Sequence, residues 1–351
     1  MNELPILTIQ DIAFGGKGVA RHEGMVVFVP FVAPGEVVTG RITRRKKNFA
    51  EAELVSVLER SPDRVEPPCP VFGICGGCSY QHLAYERQLA IKSAQVEQTL
   101  RRVGRLEHVP MQPIIGSPKQ FQYRNRIRVH RAGRVVGFFA HESRELVDVE
   151  QCPISQPKVN AALANLRRSS QPDGDYSLRA PGGGPYFEQT NPGATRELVA
   201  LVERTVRRGQ QLLADAYCGS GLFSRALRAH FEQVIGLEEN VLAVESATRE
   251  AAPHERYIAG EVSAHLGEIL TAHEPARTTV IVDPPATGIT ARVADILIGA
   301  APSEIVYVSC NPATLARDLA VLAKTYRLEA VTPIDMFPQT AEIEVVAHLT
   351  R

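Results

Sequence analysis

The chain has 351 residues, which is long enough for about two or three domains with hydrophobic cores of their own. Its 39 lysines and arginines balance its 39 aspartates and glutamates, so the overall charge argues neither for nor against nucleic acid. No apolar run approaches the roughly twenty residues that span a bilayer, and residues 1–5 lack the basic and apolar regions of a secretion signal. Membrane and secreted proteins are therefore disfavoured, and we expect a soluble, cytoplasmic monomer.

Short β-type runs predict a small barrel in residues 1–60. The runs cover residues 6–9, 24–29, 36–42 and 50–57, and glycines and prolines separate them. Their spacing favours a five-stranded barrel of the oligonucleotide-binding type. The basic loop at residues 43–48 would give this barrel an RNA-facing edge. The alternative is a β-module that only adds solubility.

Four cysteines predict a metal centre in the middle of the chain. Cys69, Cys75 and Cys78 have C-x5-C-x2-C spacing, and Cys152 stands alone further on. Four thiolates beside a glycine turn suit an iron–sulfur cluster, because soft, charged sulfur can surround a compact metal core. A tetrahedral zinc site is the nearest alternative. Disulfides are disfavoured because nothing indicates secretion.

Residues 61–180 are predicted to form a second domain around these cysteines. Helical periodicity covers residues 85–103, and β-type runs cover 123–129 and 134–139. A metal centre that includes Cys152 would join this sheet to the first three cysteines. The polar, glycine-rich and proline-rich residues 169–184 are predicted to be a flexible connection or a hairpin tip.

Residues 181–351 are predicted to form an α/β domain, because strands and helices alternate there from about residue 210. Predicted strands cover residues 212–217, 234–238, 279–283 and 304–309, and predicted helices cover 241–250, 291–300 and 313–324. This pattern indicates a doubly wound parallel sheet, whose ligands bind at the carboxyl ends of the strands.

A glycine turn after the first of these strands predicts a cofactor site. Residues 215–221 read Asp-Ala-Tyr-Cys-Gly-Ser-Gly, and Glu238 ends the next predicted strand, where a carboxylate can accept hydrogen bonds from ribose hydroxyls. A dinucleotide usually requires a third glycine, and Ser224 stands at that position. The pattern therefore favours S-adenosylmethionine over a dinucleotide.

Cys310 and Glu344 are the candidate catalytic residues. Asp283 and Cys310 follow two neighbouring predicted strands, so both are expected at the cofactor edge. A thiolate that adds to C6 of uracil makes C5 nucleophilic enough to take a methyl group, and a base must then remove the C5 proton. Glu344 is the preferred base and Glu342 its competitor. The alternative for Cys310 is a buried structural cysteine.

Together, these motifs resemble the RNA uracil-5-methyltransferase family, in its branch with an N-terminal TRAM domain and an iron–sulfur cluster. The matching stretches cover nearly the whole chain: residues 69–81, 123–125, 187–191, 215–221, 283–285, 307–312, 315–318 and 337–344. The resemblance implies a Rossmann-like class I methyltransferase domain, preceded by an OB-like TRAM barrel and a small iron–sulfur-containing α+β domain.

The resemblance also implies roles for individual residues. Cys310 would be the nucleophile and Glu344 the base, and Arg124 would lie near the flipped-out target nucleotide. The contacts to S-adenosylmethionine would be Gln189, Tyr217, Gly219, Glu238 and Asp283. The ligands of a [4Fe–4S] cluster would be Cys69, Cys75, Cys78 and Cys152.

The resemblance implies an RNA partner, with 23S rRNA the first choice and the T-loop uridine of tRNA the second. Ala286 replaces an arginine common in the family, Gln339 and Glu342 replace histidines, and Leu222 replaces a more polar residue. A non-catalytic RNA-binding protein with the same fold is the competing hypothesis. A radical enzyme is disfavoured, because its cluster normally has three cysteine ligands and Cys152 would be a fourth.

Overall fold

The structure is a computed structural model that describes residues 4–181 and 189–351. Contacts divide the chain into two compact units. Unit 1 contains the described residues up to Gln95, together with Pro118–Pro181 and Phe337–Glu342. Unit 2 contains Val96–Ser117, the described residues from 189 to Met336, and Ile343–Arg351. No helix in the described ranges is both long and apolar enough to cross a membrane.

Unit 1 begins with a six-stranded sheet in the order β1-β5-β6-β4-β3-β2. Its strands are β1 (Ile6–Thr8), β2 (Asp11–Ile12), β3 (Gly18–His22), β4 (Met25–Val29), β5 (Val37–Arg45) and β6 (Phe49–Glu59). The four predicted β-type runs correspond to β1, β4, β5 and β6, and β2 and β3 were missed, because β2 has only two residues and glycine and alanine interrupt the β-branched pattern of β3. Glycine is required at the start of β3, since a Cβ on Gly18 would lie 2.2 Å from Val32.

A second sheet in unit 1 has four antiparallel strands in the order β10-β7-β8-β9. The elements are α1 (Tyr85–Arg102), β7 (Arg126–Ala132), β8 (Val135–Phe139), β9 (Leu146–Asp148), α2 (Pro157–Arg168) and β10 (Gly174–Arg179). Residues 169–184 were predicted to be a flexible connection or a hairpin tip, and this prediction is wrong over Gly174–Arg179, which pairs with β7. The glycines at 182–184 lie outside the described residues. Alternating Tyr176 and Leu178 pack on the core and stabilise this otherwise polar strand.

Unit 2 contains a seven-stranded sheet in the order β13-β12-β11-β14-β15-β17-β16. Its strands are β11 (Gln210–Ala216), β12 (Phe231–Glu238), β13 (Glu255–Ala259), β14 (Thr278–Val282), β15 (Glu304–Ser309), β16 (Arg327–Ile334) and β17 (Glu344–Thr350). Its helices are α3 (Pro192–Thr205), α4 (Leu222–Leu227), α5 (Val241–Arg249), α6 (Val262–Thr271), α7 (Ala291–Ala300) and α8 (Pro312–Leu322). The last seven residues of α1 also belong to this unit.

The first five strands of this sheet are parallel, and β17 runs antiparallel between β15 and β16. The central parallel strands β14 and β15 are buried along their whole length, and β11 from Leu212 onward, as their continuous apolar sequences require. The predicted doubly wound α/β class is therefore confirmed. The carboxyl ends of β11, β12, β14 and β15 lie at one edge, where ligands bind in folds of this kind.

Candidate active site

The turn after β11 brings the backbone into an unusual conformation. Tyr217, Gly219 and Gly221 have φ angles of 65°, 54° and 83°. A Cβ on Gly221 would lie 2.9 Å from the hydroxyl of Tyr257, so glycine is needed there for both conformation and space. Glycine therefore lets the backbone turn sharply at the end of β11.

Glu238, at the end of β12, is held against this turn by two backbone amides. One of its carboxylate oxygens accepts a hydrogen bond from Gly219 N at 3.0 Å, and the other accepts one from Asn240 N at 2.8 Å. Its carboxylate is thus positioned beside the glycine turn. A carboxylate in this position can accept hydrogen bonds from ribose hydroxyls, as the sequence spacing predicts.

Asp215 is a buried carboxylate beneath the turn. Its Oδ2 accepts hydrogen bonds from Ser224 N at 2.9 Å and from Ser224 Oγ at 2.6 Å. Its Oδ1 has no hydrogen-bond partner among the described residues. Burial raises the pKa of Asp215 to about 6. Ser224, at the position where a dinucleotide fold has glycine, therefore serves to hydrogen-bond the buried Asp215.

Asp283 and Tyr217 complete this edge. Asp283 follows β14 and donates its backbone N–H to Ala216 O at 3.3 Å. Burial, and then the charges of Asp215 and Glu238, raise the pKa of Asp283 to about 7. Burial also raises the pKa of Tyr217 to about 12. Three carboxylates thus converge on one edge, which favours a ligand that carries positive charge or hydrogen-bond donors.

Gln189 lies just before α3, next to a well-anchored residue. Asn191 is buried, and its amide donates to Ser117 Oγ and to Met336 O, both at 3.0 Å. Its Oδ1 accepts from Ala194 N at 3.1 Å and caps the helix. Half-buried Gln189 is therefore attached to a fixed helix start. The neighbouring motif residues 187 and 188 lie outside the described residues.

Cys310 and Glu344 occupy neighbouring positions at the end of an antiparallel pair. Ser309, the last residue of β15, pairs with Val345 of β17, so the next residues on the two chains are Cys310 and Glu344. Cys310 and Glu344 therefore lie one residue beyond the last pair of β15 and β17, and the Cα atoms of such antiparallel pairs are about 4.5–5.5 Å apart. Cys310 is exposed and Glu344 is buried. The register thus joins an accessible thiol to a carboxyl shielded from water.

Glu342 and Gln339 lie in the other unit. Glu342 is exposed and lines a cavity of unit 1. Gln339 is buried and exchanges two hydrogen bonds of 3.1 Å with Gln88. Of these two glutamates, only Glu344 belongs to β17, the strand that pairs with β15.

Side chains of α8 hold the loop that follows β14. Asn311 Nδ2 and Thr314 Oγ1 both donate to Ala286 O at 3.1 Å. Arg317 donates to Thr287 O at 2.9 Å. The loop after Asp283 is therefore fixed to the segment that contains Cys310. At position 286 the loop contact is made by the backbone carbonyl, and the Ala286 side chain is exposed.

Asp318 is buried at the centre of these contacts between α8, β15 and the loop after β14, which we call the clamp. It accepts hydrogen bonds from the Tyr307 hydroxyl at 2.7 Å and from Ile289 N at 3.0 Å. A Cβ on Gly288 would lie 2.3 Å from its Oδ2, so only glycine fits there. The sequence motif includes Tyr307 and Asp318, but their partnership was not predicted. The available signal was a tyrosine inside a buried strand, whose hydroxyl needs a partner.

The four predicted metal ligands line one cavity of unit 1. Its volume is about 310 Å³, and its walls include Cys69, Cys75, Cys78 and Cys152, together with Gln81, Arg124 and Glu342. Gly76 N donates to Phe139 O at 2.9 Å and attaches the three-cysteine turn to β8. Asn160 of α2 accepts from Cys152 N at 2.9 Å and donates to Cys152 O at 3.1 Å. Separate elements therefore hold the two parts of the cysteine set.

The thiols of this cavity affect one another. Burial raises the pKa of Cys69 and of Cys75, and the nearby Cys152 thiol raises both further. Burial and the other three cysteines raise the pKa of Cys78 to about 12. No cysteine in the described ranges forms a disulfide, and no three His, Cys, Asp or Glu residues there are arranged to hold a metal ion.

Comparisons with known proteins agree with this architecture. A family model described as tRNA (Uracil-5-)-methyltransferase matches residues 267–351, and a TRAM domain model matches residues 7–55. An uncharacterized RNA methyltransferase of Bdellovibrio bacteriovorus is 34% identical over 98% of this chain and 94% of its own length. Another from Thermosynechococcus vestitus is 31% identical over 98% and 97%.

A solved structure extends the comparison to three dimensions. It is the Pyrococcus abyssi tRNA (uracil-54, C5)-methyltransferase in complex with S-adenosyl-L-homocysteine. It is 25% identical to this chain, has a TM-score of 0.74, and the match covers 98% of this chain and 99% of that one.

The sheet order and the glycine turn define a class I methyltransferase that uses S-adenosylmethionine. The chain belongs to the RNA uracil-5-methyltransferase family, and its N-terminal sheet is a TRAM domain. It is an RNA (uracil-5-)-methyltransferase, as the sequence motifs predict. The enzyme class, the cofactor S-adenosylmethionine, the RNA substrate and the TRAM domain are thereby confirmed.

Proposed function

We propose that this enzyme methylates C5 of a uridine in 23S rRNA through a covalent adduct between Cys310 and C6 of the base. The observation that supports the mechanism is the β15–β17 register, which joins the exposed Cys310 to the buried Glu344. Burial of a carboxyl disfavours its charged form and makes it a stronger base when it is ionised.

In the proposed reaction the Cys310 thiolate adds to C6 and forms a carbon–sulfur bond, which places negative charge on C5 and O4. S-Adenosylmethionine, when bound, supplies the methyl group that C5 takes, with loss of S-adenosylhomocysteine. Glu344 then removes the C5 proton, and the electron pair of that C–H bond expels the thiolate from C6. The products are 5-methyluridine and the free enzyme.

We further propose that the residues at the sheet edge bind the cofactor. Glu238 and Asp283 would accept its hydrogen bonds, Gly219 would approach it through the backbone, and Tyr217 and Gln189 would pack against it. The raised pKa of Asp283 supports a cationic or hydrogen-bond-donating ligand at this position. Arg124 would lie near the target nucleotide, as the family resemblance implies.

The choice of 23S rRNA depends on the combination of a TRAM domain with four cysteines. The tRNA T-loop uridine is the second candidate, favoured by the description of the matching family model. We propose a cytoplasmic monomer with three functional regions, a TRAM barrel at residues 1–60, a cysteine-containing RNA-binding domain at 61–180 and a methyltransferase domain at 181–351.

Deletion of the gene is expected to remove one 5-methyluridine from 23S rRNA and to leave tRNA unchanged. The measurement is mapping of 5-methyluridine in both RNAs from wild-type and deletion strains, with the gene restored as a control. Loss of 5-methyluridine from tRNA alone would favour the second candidate over the first.

We also propose that Cys69, Cys75, Cys78 and Cys152 hold a [4Fe–4S] cluster. Four soft sulfur donors on one cavity are a donor set that suits iron–sulfur chemistry. The cluster would stabilise the fold of residues 61–180, because the methyl transfer needs no electron from it. Zinc is the alternative for the same donors.

Protein purified without oxygen is expected to be brown and to contain about four irons per chain. Cys152→Ser should lose most of that iron, because one of the four ligands is removed. Cys218→Ser is the control, since this buried thiol lies in unit 2 and should leave the iron content unchanged. A colourless preparation with one zinc per chain, despite adequate iron during expression, would contradict the cluster.

A further inference from the structure

The four-stranded sheet of unit 1 is covered on one face only. Val159, Leu163 and Leu166 of α2 pack on Ile127 and Val129 of β7. Residues of β7 alternate between the two faces, so the side chains between these buried ones lie on the other face. Among the described elements, no helix packs on that other face, which we call the open face.

The open face combines arginines with two rings. Arg126, Arg128 and His130 lie on it from β7, and their partners in register on β10 are Arg179, Ser177 and Asp175. Phe139 joins them from β8, since its ring stacks on His130. The register also puts Asp148 on this face, where Arg167 of α2 pairs with it. Three arginines against Asp175 and Asp148 leave this face basic, although the whole chain has no net charge.

The two rings form a pair that packing does not explain. The His130 and Phe139 ring centroids are 4.0 Å apart and the planes are tilted by 30°. Phe139 is nevertheless 41% exposed. Asp175 Oδ1 accepts a hydrogen bond from His130 Nδ1 at 2.6 Å and holds that ring in place, and Asp175 also pairs with Arg128. An ordered, solvent-exposed aromatic surface is therefore ready before any ligand binds.

We propose that the open face binds an unpaired stretch of the substrate RNA outside the target uridine. One base would stack on the Phe139 and His130 rings, and Arg126, Arg128 and Arg179 would contact phosphates. Stacking on a sheet surface requires a base with an accessible face, which a single strand offers and a duplex does not. This inference requires only that RNA is the substrate, so it is independent of the choice of RNA and of the covalent adduct.

The test measures binding of the full-length protein to a labelled ten-nucleotide oligouridine and to a labelled RNA hairpin. Phe139→Leu is expected to weaken oligouridine binding about tenfold, because leucine fills space but cannot stack. Phe139→Tyr should restore wild-type affinity. Hairpin binding should change much less in both variants.

A second measurement separates phosphate contacts from stacking. Arg126→Ala is expected to reduce the slope of log affinity against log salt by about 0.7, the value for one phosphate contact with a single strand. Phe139→Leu should leave that slope unchanged. Arg168→Ala is the matched control, because this exposed arginine lies on α2, which covers the opposite face.

Several outcomes would overturn the inference. Equal affinities of wild type and Phe139→Leu for oligouridine would contradict stacking on Phe139. Equal losses of affinity in Phe139→Leu and Arg168→Ala would contradict it too. If Phe139→Leu lowers the melting temperature, Phe139→Tyr decides, since failure to restore binding in a stable protein would also contradict stacking. These readouts need no methyl transfer, so their failure would leave the proposed reaction standing.

Discussion

Glu344→Gln is expected to leave RNA attached to the protein through Cys310, with the methyl group already on C5. The thiolate can still attack C6 and C5 can still take the methyl group, because neither step uses Glu344. Removal of the C5 proton is the step that fails, and loss of a positioned base typically slows turnover by about 10²–10⁴-fold. The adduct should appear as a denaturation-resistant protein–RNA band that contains label from a radioactive methyl donor.

Two further variants make this experiment decisive. Cys310→Ala should form no adduct and no product, because nothing attacks C6. Glu342→Gln removes the same charge two residues away, and it should turn over like wild type, since Glu344 belongs to the strand that pairs with β15 and Glu342 does not. Normal turnover of Glu344→Gln with an adduct in Glu342→Gln would show that the wrong base was chosen. An active Cys310→Ala variant would contradict the covalent mechanism.

Much of the α/β unit was predictable because its strands are strongly patterned. The runs 212–217, 234–238, 279–283 and 304–309 correspond to β11, β12, β14 and β15 within three residues. Strands buried on both faces of a parallel sheet are continuous apolar segments, and this signal is visible without tertiary information. The helices at 241–250, 291–300 and 313–324 were found for the same reason, since their apolar positions repeat with helical spacing.

The strands that were missed depend on tertiary pairing. Neither β16 nor β17 was identified, although β17 begins at Glu344, the proposed base. Its place between β15 and β16 is a long-range choice that local pattern does not encode. The sequence therefore left Glu342 and Glu344 as competitors, and a two-residue separation along the chain becomes a separation between two units in the structure.

The clamp around Asp318 was also beyond local pattern. It joins β15, α8 and the loop after β14, so its hydrogen bonds form only when three separate segments meet. The cysteine cavity shows the opposite case. Cys152 lies far along the chain from Cys69, but thiols are so rare and so chemically distinct that composition alone grouped them before the structure placed them on one cavity.

Binding of S-adenosylmethionine is expected to weaken about tenfold for each pH unit below 7. Burial and the charges of Asp215 and Glu238 raise the Asp283 pKa to about 7, so the unbound site holds a proton at lower pH. A ligand that needs the Asp283 carboxylate must displace this proton, which costs affinity as the pH falls. Titrations by calorimetry between pH 5 and pH 8 would measure the effect.

The raised pKa of Asp283 also affects the stability of the unliganded protein, which should fall as the pH rises, whereas cofactor binding should strengthen. Unfolded Asp283 loses its proton near the ordinary aspartate pKa of 3.8, whereas the folded residue keeps it to about 7. The unliganded protein should therefore lose stability as the pH rises between these values, because the folded state binds the extra proton. Added S-adenosylmethionine should raise the melting temperature more at pH 8 than at pH 5, when the cofactor is present at the same concentration.

Asp283→Asn tests how much of this pH dependence comes from Asp283 and how much from the other carboxyl groups of the site. The variant should bind S-adenosylmethionine more weakly at pH 8 and show little change in affinity between pH 6 and pH 7, because its side chain has no proton to release. A residual fall below pH 6 is expected from Asp215, whose pKa is about 6. Asp295→Asn, on the exposed surface of α7, should keep the wild-type profile. A wild-type affinity that stays constant from pH 5 to pH 8 would mean that Asp283 does not need its charge to bind the cofactor, and its proposed contact would have to be abandoned.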